Sequence, residues 1–332
     1  MQTETVELSP RVEKMVSDPN SCPVCGHEGG EDLLQAPDRF HGRTQFYKLR
    51  RCPSCSMAWL HEPPAPAEMG QHYGLDYDRA IAGAGDDPDH WRERRAVLLQ
   101  YKSGGSVLDL GCSSGGFLRS LQGPSWKLYG IEMSSEVARK TEASTGAQVF
   151  VGDILDAPFA DASFDAITCF HVLEHLYQPR QILEKVFRWL KPGGVFYVMV
   201  PNIDSAGAHI FKSYWYALEM PRHLSHFSPT AVKHLATLVG LEAESVTTHR
   251  EVFIEQSVRY IADEMCGKVG ITRQPLAKRG VLSIPTRVVR KMFRMSVLPI
   301  LTGLASLAGD GESIHAILRK PAADTRIPAS SR

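Results

Sequence analysis

Residues 107–117 read Val-Leu-Asp-Leu-Gly-Cys-Ser-Ser-Gly-Gly-Phe, and this stretch decides the fold. Its apolar start predicts a buried strand, the glycines predict a tight turn, and the residues from Gly116 onwards are typical of a helix. A strand, a glycine-rich turn and a helix in this order form a nucleotide-binding crossover of an α/β sheet. Asp109 places a negative charge beside the turn, which disfavours a pyrophosphate and favours a ligand with cationic groups.

The rest of the chain alternates between strand-like and helix-like patterns, which is typical of a doubly wound sheet. The predicted strands are Ser106–Leu110, Lys127–Glu132, Val149–Val151, Phe164–Phe170, Val195–Val200, Glu242–Thr248 and Ser313–Arg319. The predicted helices between them are Gly116–Leu121, Ser135–Ser144, Arg180–Leu190 and Pro229–Val239. The long interval before the last strand predicts an inserted helical cap at about 250–312.

Polar side chains lie where several predicted strands end. Glu132 closes the second strand, Asp153 follows the third, and Phe170 and His171 end the fourth. Ligands of such sheets bind in the crevice at the carboxyl ends of the strands. A carboxylate at Glu132 can accept hydrogen bonds from both hydroxyls of a ribose.

Together these residues resemble the motifs of class I S-adenosylmethionine-dependent methyltransferases. The resemblance implies a seven-stranded Rossmann-like α/β sheet with an antiparallel last strand, and S-adenosylmethionine as the cofactor. It implies that Glu132 binds the ribose and that Asp153 and Ile154 bind the adenine. Ser113 stands where the family often has a glycine. The implied cofactor-binding residues are Asp109, Gly111, Cys112, Ser113, Gly115, Glu132, Met133, Asp153, Ile154, Phe170 and His171.

Two short motifs favour other enzymes. Gly111-x-Ser113-x-x-Gly116 is a partial dinucleotide fingerprint, which leaves a dehydrogenase as an alternative. His171-Val-Leu-Glu-His175 matches the inverted zinc-peptidase motif, but it straddles a strand end instead of lying within a long helix. We therefore interpret Glu174 and His175 as helix-entry residues that shape the pocket.

Four of the seven cysteines form two Cys-x-x-Cys pairs, Cys22 with Cys25 and Cys52 with Cys55. Two such pairs can complete a tetrahedral zinc site, and four thiolates leave no open position, so the zinc is expected to be structural. Two redox-active disulfides remain an alternative. We predict a zinc-ribbon module at 21–60, a linker and lead helix at 61–104 and a methyltransferase domain at 105–320, between tails at 1–20 and 321–332.

A cysteine-rich module before such a domain resembles the sugar C-methyltransferases and related enzymes of polysaccharide and natural-product pathways. The resemblance implies a base among the histidines after the fifth strand, which falls on His223, with His226 and His171 as further candidates. Arg222 replaces the family's glutamate and can bind an anionic substrate group. Tyr73 and Tyr77 are the other predicted substrate contacts.

Charge and hydropathy restrict the partners. Lysine plus arginine and aspartate plus glutamate both number 37, so no global field attracts nucleic acid, and an RNA substrate is disfavoured. No secretory signal is evident, which predicts a cytoplasmic protein. The basic segment at 278–307 is either a solvated face or a peripheral membrane contact.

We predict methylation of a sugar, nucleotide sugar or glycan intermediate. The alternatives are a quinone-type O-methyltransferase, an RNA methyltransferase and a non-enzymatic scaffold.

Overall fold

The computed structural model of the protein describes residues 20–73, 88–251, 253–265 and 311–322. The predicted substrate contact Tyr77, the basic segment at 278–307, and most of both predicted tails and of the predicted cap lie outside these ranges. Within them, no helix is long and apolar enough to cross a membrane.

The strands fall into two groups along the chain. The N-terminal group is β1 (Glu31–Pro37), β2 (Phe46–Arg51) and β3 (Ala58–His61). The second group is β4 (Gly105–Leu110), β5 (Trp126–Glu132), β6 (Gln148–Val151), β7 (Phe164–Phe170), β8 (Leu190–Pro201), β9 (Ser225–His226), β10 (Glu242–His249) and β11 (Ser313–Arg319).

The helices are α1 (Pro66–Met69), α2 (Pro88–Tyr101), α3 (Gly116–Ser120), α4 (Ser135–Thr145), α5 (Pro179–Trp189), α6 (Ala206–Phe211), α7 (Pro229–Leu238) and α8 (Phe253–Met265). Side-chain caps fix several of their starts: the hydroxyls of Ser134, Ser205 and Ser228 accept hydrogen bonds from the first turns of α4, α6 and α7. In the predicted cap, α8 is the helix that the structure describes.

Seven strands form the main sheet in the order β10-β11-β8-β7-β4-β5-β6. Neighbours from β8 to β6 are parallel, whereas β11 runs antiparallel to both β8 and β10. The predicted Rossmann-like methyltransferase fold with an antiparallel last strand is therefore confirmed. Chain order reverses beside β4, so the carboxyl ends of β4 and β7 border the crevice where ligands of such sheets bind.

Helices cover both faces of the main sheet, because its central strands are apolar on both sides. On one face, Leu98 of α2 and Phe117 and Leu118 of α3 pack against Val107 and Tyr197. On the other face, Ile182 and Val186 of α5 and Leu235 of α7 pack against strand residues such as Leu108 and Phe196.

A second, four-stranded sheet has the order β1-β2-β3-β9. Its last strand comes from the segment between β8 and α7, in which no strand is predicted from the sequence. Ala58 and Trp59 of β3 pair with His226 and Ser225 of β9. A common apolar core joins β1–β3, the segment at 203–224 and α8; it includes Leu49, Leu60, Phe211, Trp215, Met220 and Ile254. The N-terminal strands are thus built onto the segment that follows β8.

Candidate functional site

The loop between β4 and α3 is shaped by glycines in the left-handed region. Gly111 and Gly115 have φ values of 68° and 74°, and Ser113 between them has a φ of 45°. A Cβ atom at Gly111 would lie 2.6 Å from Val172, and one at Gly115 would lie 2.7 Å from Thr141. These contacts leave no room for a side chain, so the loop stays open for close approach of a ligand to the backbone.

Asp109 lies at the end of β4 with 5% of its surface exposed. The hydroxyl of Thr168 on β7 donates a 2.7 Å hydrogen bond to Asp109 Oδ1. Burial raises the pKa of Asp109 to about 7, against the lowering effect of that hydrogen bond, and the nearby charge of Glu132 adds to the rise. A buried carboxyl with so high a pKa is suited to bind a cation, which restores its charged form.

Glu132 and Asp153 end neighbouring strands as predicted. The Glu132 carboxylate accepts hydrogen bonds from the backbone N–H groups of Ser113 (3.1 Å) and Ser134 (2.9 Å), and so ties the glycine loop to β5. Asp153 Oδ1 accepts from Leu155 N at 2.7 Å, and Ile154 beside it is buried. Two strand ends therefore present carboxylates beside the loop.

Of the remaining predicted cofactor contacts, Cys112 is buried and Met133 is half-exposed. Phe170, at the end of β7, packs edge-on against Phe117 and Tyr197, with ring centroids 4.9 Å apart in both pairs. The Phe170 ring therefore supports the loop helix α3, and only its backbone and partly exposed edge are available to a ligand.

His171 follows Phe170 in the left-handed region, with a φ of 55°, and its backbone N–H donates to Met199 O. Its Nδ1 lies 3.4 Å from Glu174 Oε1, and about a third of its side chain (34%) is exposed. Burial lowers the pKa of His171, but the ion pair with Glu174 outweighs burial and raises it overall. Among the three predicted base candidates, His171 is the one with an exposed side chain.

His223 and His226, the other base candidates, are buried. Burial lowers the pKa of each to about 3, so both imidazoles are neutral at pH 7. His223 Nδ1 donates to Ala217 O at 2.8 Å, while neither ring nitrogen of His226 has a hydrogen-bond partner among the described residues. Catalysis by either histidine stays a prediction, and their burial speaks against direct contact with a substrate.

His175 was not predicted to act chemically, yet it lies against His223 with ring centroids 4.5 Å apart. Burial lowers the pKa of His175 to about 4, and the neighbouring His223 adds to the effect. The hydroxyl of Tyr73, a predicted substrate contact, lies 3.1 Å from His175 Nδ1. Tyr73 therefore joins this histidine cluster.

Arg222 is completely buried, with its charge compensated inside the protein. Its guanidinium lies 3.5 Å from Asp38 and 3.4 Å from Glu219, and stacks over Phe40 at 4.7 Å. Asp38 is also fully buried, and Arg222 helps to keep its pKa below the usual range despite burial. In this structure Arg222 connects the N-terminal strands to the segment before β9, and nothing supports the predicted contact with an anionic substrate. Asp38 and Glu219 carried no recognisable motif.

The four predicted metal ligands converge between the β1–β3 hairpins. Cys22 Sγ lies 3.5 Å from Cys55 Sγ, and Cys25 Sγ lies 3.6 Å from Cys52 Sγ. Each of these close contacts thus joins one Cys-x-x-Cys pair to the other, and none of the four thiols is in a disulfide. Sulfurs bound to one tetrahedral zinc at about 2.3 Å are about 3.8 Å apart, so the four thiols fit a single ion.

Known proteins that are similar to this chain include methyltransferases, in agreement with the fold of the main sheet. Residues 84–246 match the family model described as a methyltransferase domain. A probable S-adenosylmethionine-dependent methyltransferase of Mycolicibacterium smegmatis is 31% identical over 146 residues, which cover 39% of this chain and 51% of that protein. The chain therefore spans about half the length of this relative.

Two further relatives are enzymes of quinone pathways by name. A demethylmenaquinone methyltransferase of Lactococcus lactis is 33% identical over 153 residues, covering 43% of this chain and 60% of that protein. A ubiquinone biosynthesis O-methyltransferase of Pseudomonas putida is 26% identical over 196 residues, covering 52% of this chain and 81% of that protein. Residues 84–246 are therefore similar to methyltransferase domains, and this similarity disfavours the dehydrogenase and metallopeptidase alternatives.

Proposed function

We propose that the protein transfers a methyl group from S-adenosylmethionine to a small polar acceptor, in the first instance a sugar, nucleotide sugar or glycan intermediate. The observation that carries the proposal is the group formed by the buried Asp109, the glycine loop, and Glu132 and Asp153 at neighbouring strand ends. This group offers carboxylates to cationic and hydroxyl groups of a ligand.

The residues around the loop fit the cofactor. The left-handed Gly111 and Gly115 support close approach of the backbone to the ligand, and Glu132 beside the loop would accept from the ribose hydroxyls. Asp109 would face the cationic methionine end, and Asp153 with Ile154 would hold the adenine. S-adenosylmethionine supplies a methyl group already activated on a sulfonium, so the protein chiefly aligns the acceptor in line with that bond and excludes water.

The acceptor side is polar among the described residues. His171 is exposed at the end of β7, and Glu174, His175 and the Tyr73 hydroxyl follow beside it. Histidine, carboxylate and phenol groups suit an acceptor with several hydroxyls better than an isoprenoid chain. We propose that His171 contacts the acceptor and positions its nucleophilic oxygen or carbon.

The quinone-type O-methyltransferase is the second candidate, favoured by the names of two relatives that match the catalytic part of the chain. The membrane contact that such a substrate suggests falls on 278–307, outside the described residues. Isotope transfer from methyl-labelled cofactor into fractionated extracts separates the candidates. Label in the water-soluble sugar fraction supports the first, and label confined to the lipid fraction supports the second.

Calorimetry tests the donor directly. The full chain is expected to bind S-adenosylmethionine, and Glu132→Gln is expected to weaken binding by about 1.5–3 kcal/mol, because charge-assisted hydrogen bonds to the ribose are lost. Glu136→Gln is the matched control, since Glu136 is an exposed carboxylate in the first turn of α4 that pairs with Lys140. Absence of binding to the intact protein would refute the enzymatic proposal.

We further propose that Cys22, Cys25, Cys52 and Cys55 bind one structural zinc ion. Two matching turns support it: Gly26 N donates to Cys22 O, Ser56 N donates to Cys52 O, and both residues have positive φ values. Each turn aims two thiols at one point, and three of the four cysteines are buried. A closed shell of four thiolates holds the strands together and takes no part in the reaction.

A further inference from the structure

A second group of metal-ligating side chains lies away from the cysteines. Glu174, His175 and His223 each place one ligand atom within 4.8 Å of the other two. Glu174 and His175 belong to the 3-10 turn that follows β7, and His223 belongs to the segment before β9. The three residues therefore come from two segments that the fold brings together.

Both imidazoles are oriented in the way that metal ligands require. His175 Nδ1 lies 3.2 Å from Arg222 O, and His223 Nδ1 lies 2.8 Å from Ala217 O. A carbonyl oxygen only accepts, so Nδ1 of His223 carries the proton and its Nε2 keeps a free lone pair. The same tautomer of His175 donates to Arg222 O, with the Tyr73 hydroxyl 3.1 Å from the same Nδ1. An imidazole that donates its other N–H to a backbone carbonyl is the usual arrangement around a bound metal.

Glu174 supplies the charge that a cation would compensate. Its side chain is 1% exposed, and neither carboxylate oxygen accepts a hydrogen bond from the described residues. Among the described residues, Glu174 Oε1 forms an ion pair with His171 Nδ1, at 3.4 Å. A buried carboxylate without hydrogen bonds is costly, and buried charges are normally paired or coordinate metals.

Other charged groups border the trio. Glu219 Oε2 lies 3.8 Å from His223 Nε2 and adds a second carboxylate. The guanidinium of Arg222 contacts Asp38 and Glu219. A second carboxylate, that of Glu219, therefore lies beside His223 of the trio.

We propose that Glu174, His175 and His223 bind a divalent transition-metal ion such as Zn²⁺, at a site separate from the four cysteines. Two imidazoles and one carboxylate form a borderline donor set that selects Zn²⁺ or a similar first-row ion over Mg²⁺. Three protein ligands leave a further coordination position, which an oxygen atom of water or of an acceptor can take. The site differs from the His-x-x-Glu-His peptidase motif, because its third ligand is His223 and not His171.

Cobalt titration of the metal-free full chain tests the proposal. Co²⁺ bound to thiolates gives intense near-ultraviolet charge-transfer absorption, whereas Co²⁺ bound to nitrogen and oxygen gives only weak visible bands. We expect two equivalents to bind, and only one of them to carry thiolate absorption. A titration that ends after the thiolate-bound equivalent overturns the proposal without any variant.

Variants then assign the ligands. Glu174→Gln and His223→Gln are expected to weaken binding of the second ion at least tenfold and to leave the thiolate absorption unchanged. His226→Gln is the matched control, since His226 is equally buried and its ring centre lies 6.0 Å from that of His223. If His226→Gln loses the second ion to the same extent, the assignment to the trio is wrong. The affinity for S-adenosylmethionine is measured on the same samples. Loss of the second ion can then be distinguished from failure of the proposed methyl transfer.

Discussion

The ionisation of Asp109 predicts that binding of S-adenosylmethionine depends steeply on pH. Burial raises the pKa of this carboxyl to about 7 in the free protein. A cationic ligand binds the ionised form, so the fraction of ionised Asp109 multiplies the intrinsic affinity. Between pH 8 and pH 6 that fraction falls from about nine-tenths to about one-tenth.

The expected size follows from these fractions. The apparent Kd should rise about tenfold from pH 8 to pH 6, or about 1.4 kcal/mol. Asp109→Asn keeps the shape and the Thr168 hydrogen bond but cannot ionise. We therefore expect the variant to bind S-adenosylmethionine more weakly than wild type at pH 8. Its apparent Kd should lack the pH dependence that ionisation of Asp109 causes.

Calorimetry in buffers with different ionisation enthalpies measures both the affinity and the protons exchanged. At pH 7 the protein should release about half a proton on binding, because the cofactor drives Asp109 to its charged form. The amino group of the cofactor also titrates in this range, and the variant corrects for it. An equal pH slope in wild type and Asp109→Asn would refute the reasoning.

The same carboxyl affects stability in the opposite sense. Since the folded pKa lies above the unfolded value, the free protein binds more protons than the unfolded chain between about pH 4 and pH 7. The contribution of Asp109 to the free energy of unfolding is therefore largest at low pH and falls as the pH rises through that window. Denaturant unfolding of wild type and Asp109→Asn at several pH values measures the difference.

Three further perturbations test other parts of the structure. Gly115→Ala should destabilise the protein by about 1–3 kcal/mol, since the residue needs a positive φ and its Cβ would meet Thr141. Gly146→Ala is the control and should destabilise the protein less, because Gly146 has a φ of 72° with open space around it. Equal melting temperatures of the two variants would contradict this reasoning. Arg222→Met should lower the free energy of unfolding by about 3–5 kcal/mol, because the fully buried Asp38 loses its fully buried cationic partner, and adding Asp38→Asn should recover part of the loss. Removing zinc with a chelator should lower the melting temperature and unfold the N-terminal strands first. Faster amide hydrogen exchange in these strands measures this, and an unchanged exchange rate there would argue against a structural ion.

Local patterns were sufficient to predict the main sheet. Phe164–Phe170 and Ser313–Arg319 have the predicted bounds, because each is a continuous apolar run between turn residues. The cofactor loop was predictable for the same reason, since its glycines and Asp109 lie within one short segment. The spacing of the two cysteine pairs was likewise sufficient to predict that they lie close together.

Features that depend on distant pairing could not be predicted. Strand β9 has two residues, too few for any period, and it forms only because β3 offers an edge. The Arg222–Asp38 ion pair joins a residue interpreted as a substrate contact to one that had no motif. Burial of both charges is a property of the assembled core, which the local sequence does not encode.

The pairing of β3 with β9 also sets an order on folding. Arg222 and His41, which meet across the same junction, are 181 positions apart in the chain. The first three strands leave the ribosome long before their fourth strand is made, so that part of their apolar core must wait for most of the main sheet. If the four cysteines bind zinc as proposed, the bound ion can hold the early hairpins in register until then. Metal supply during synthesis would thus influence the yield of folded protein as well as its final stability.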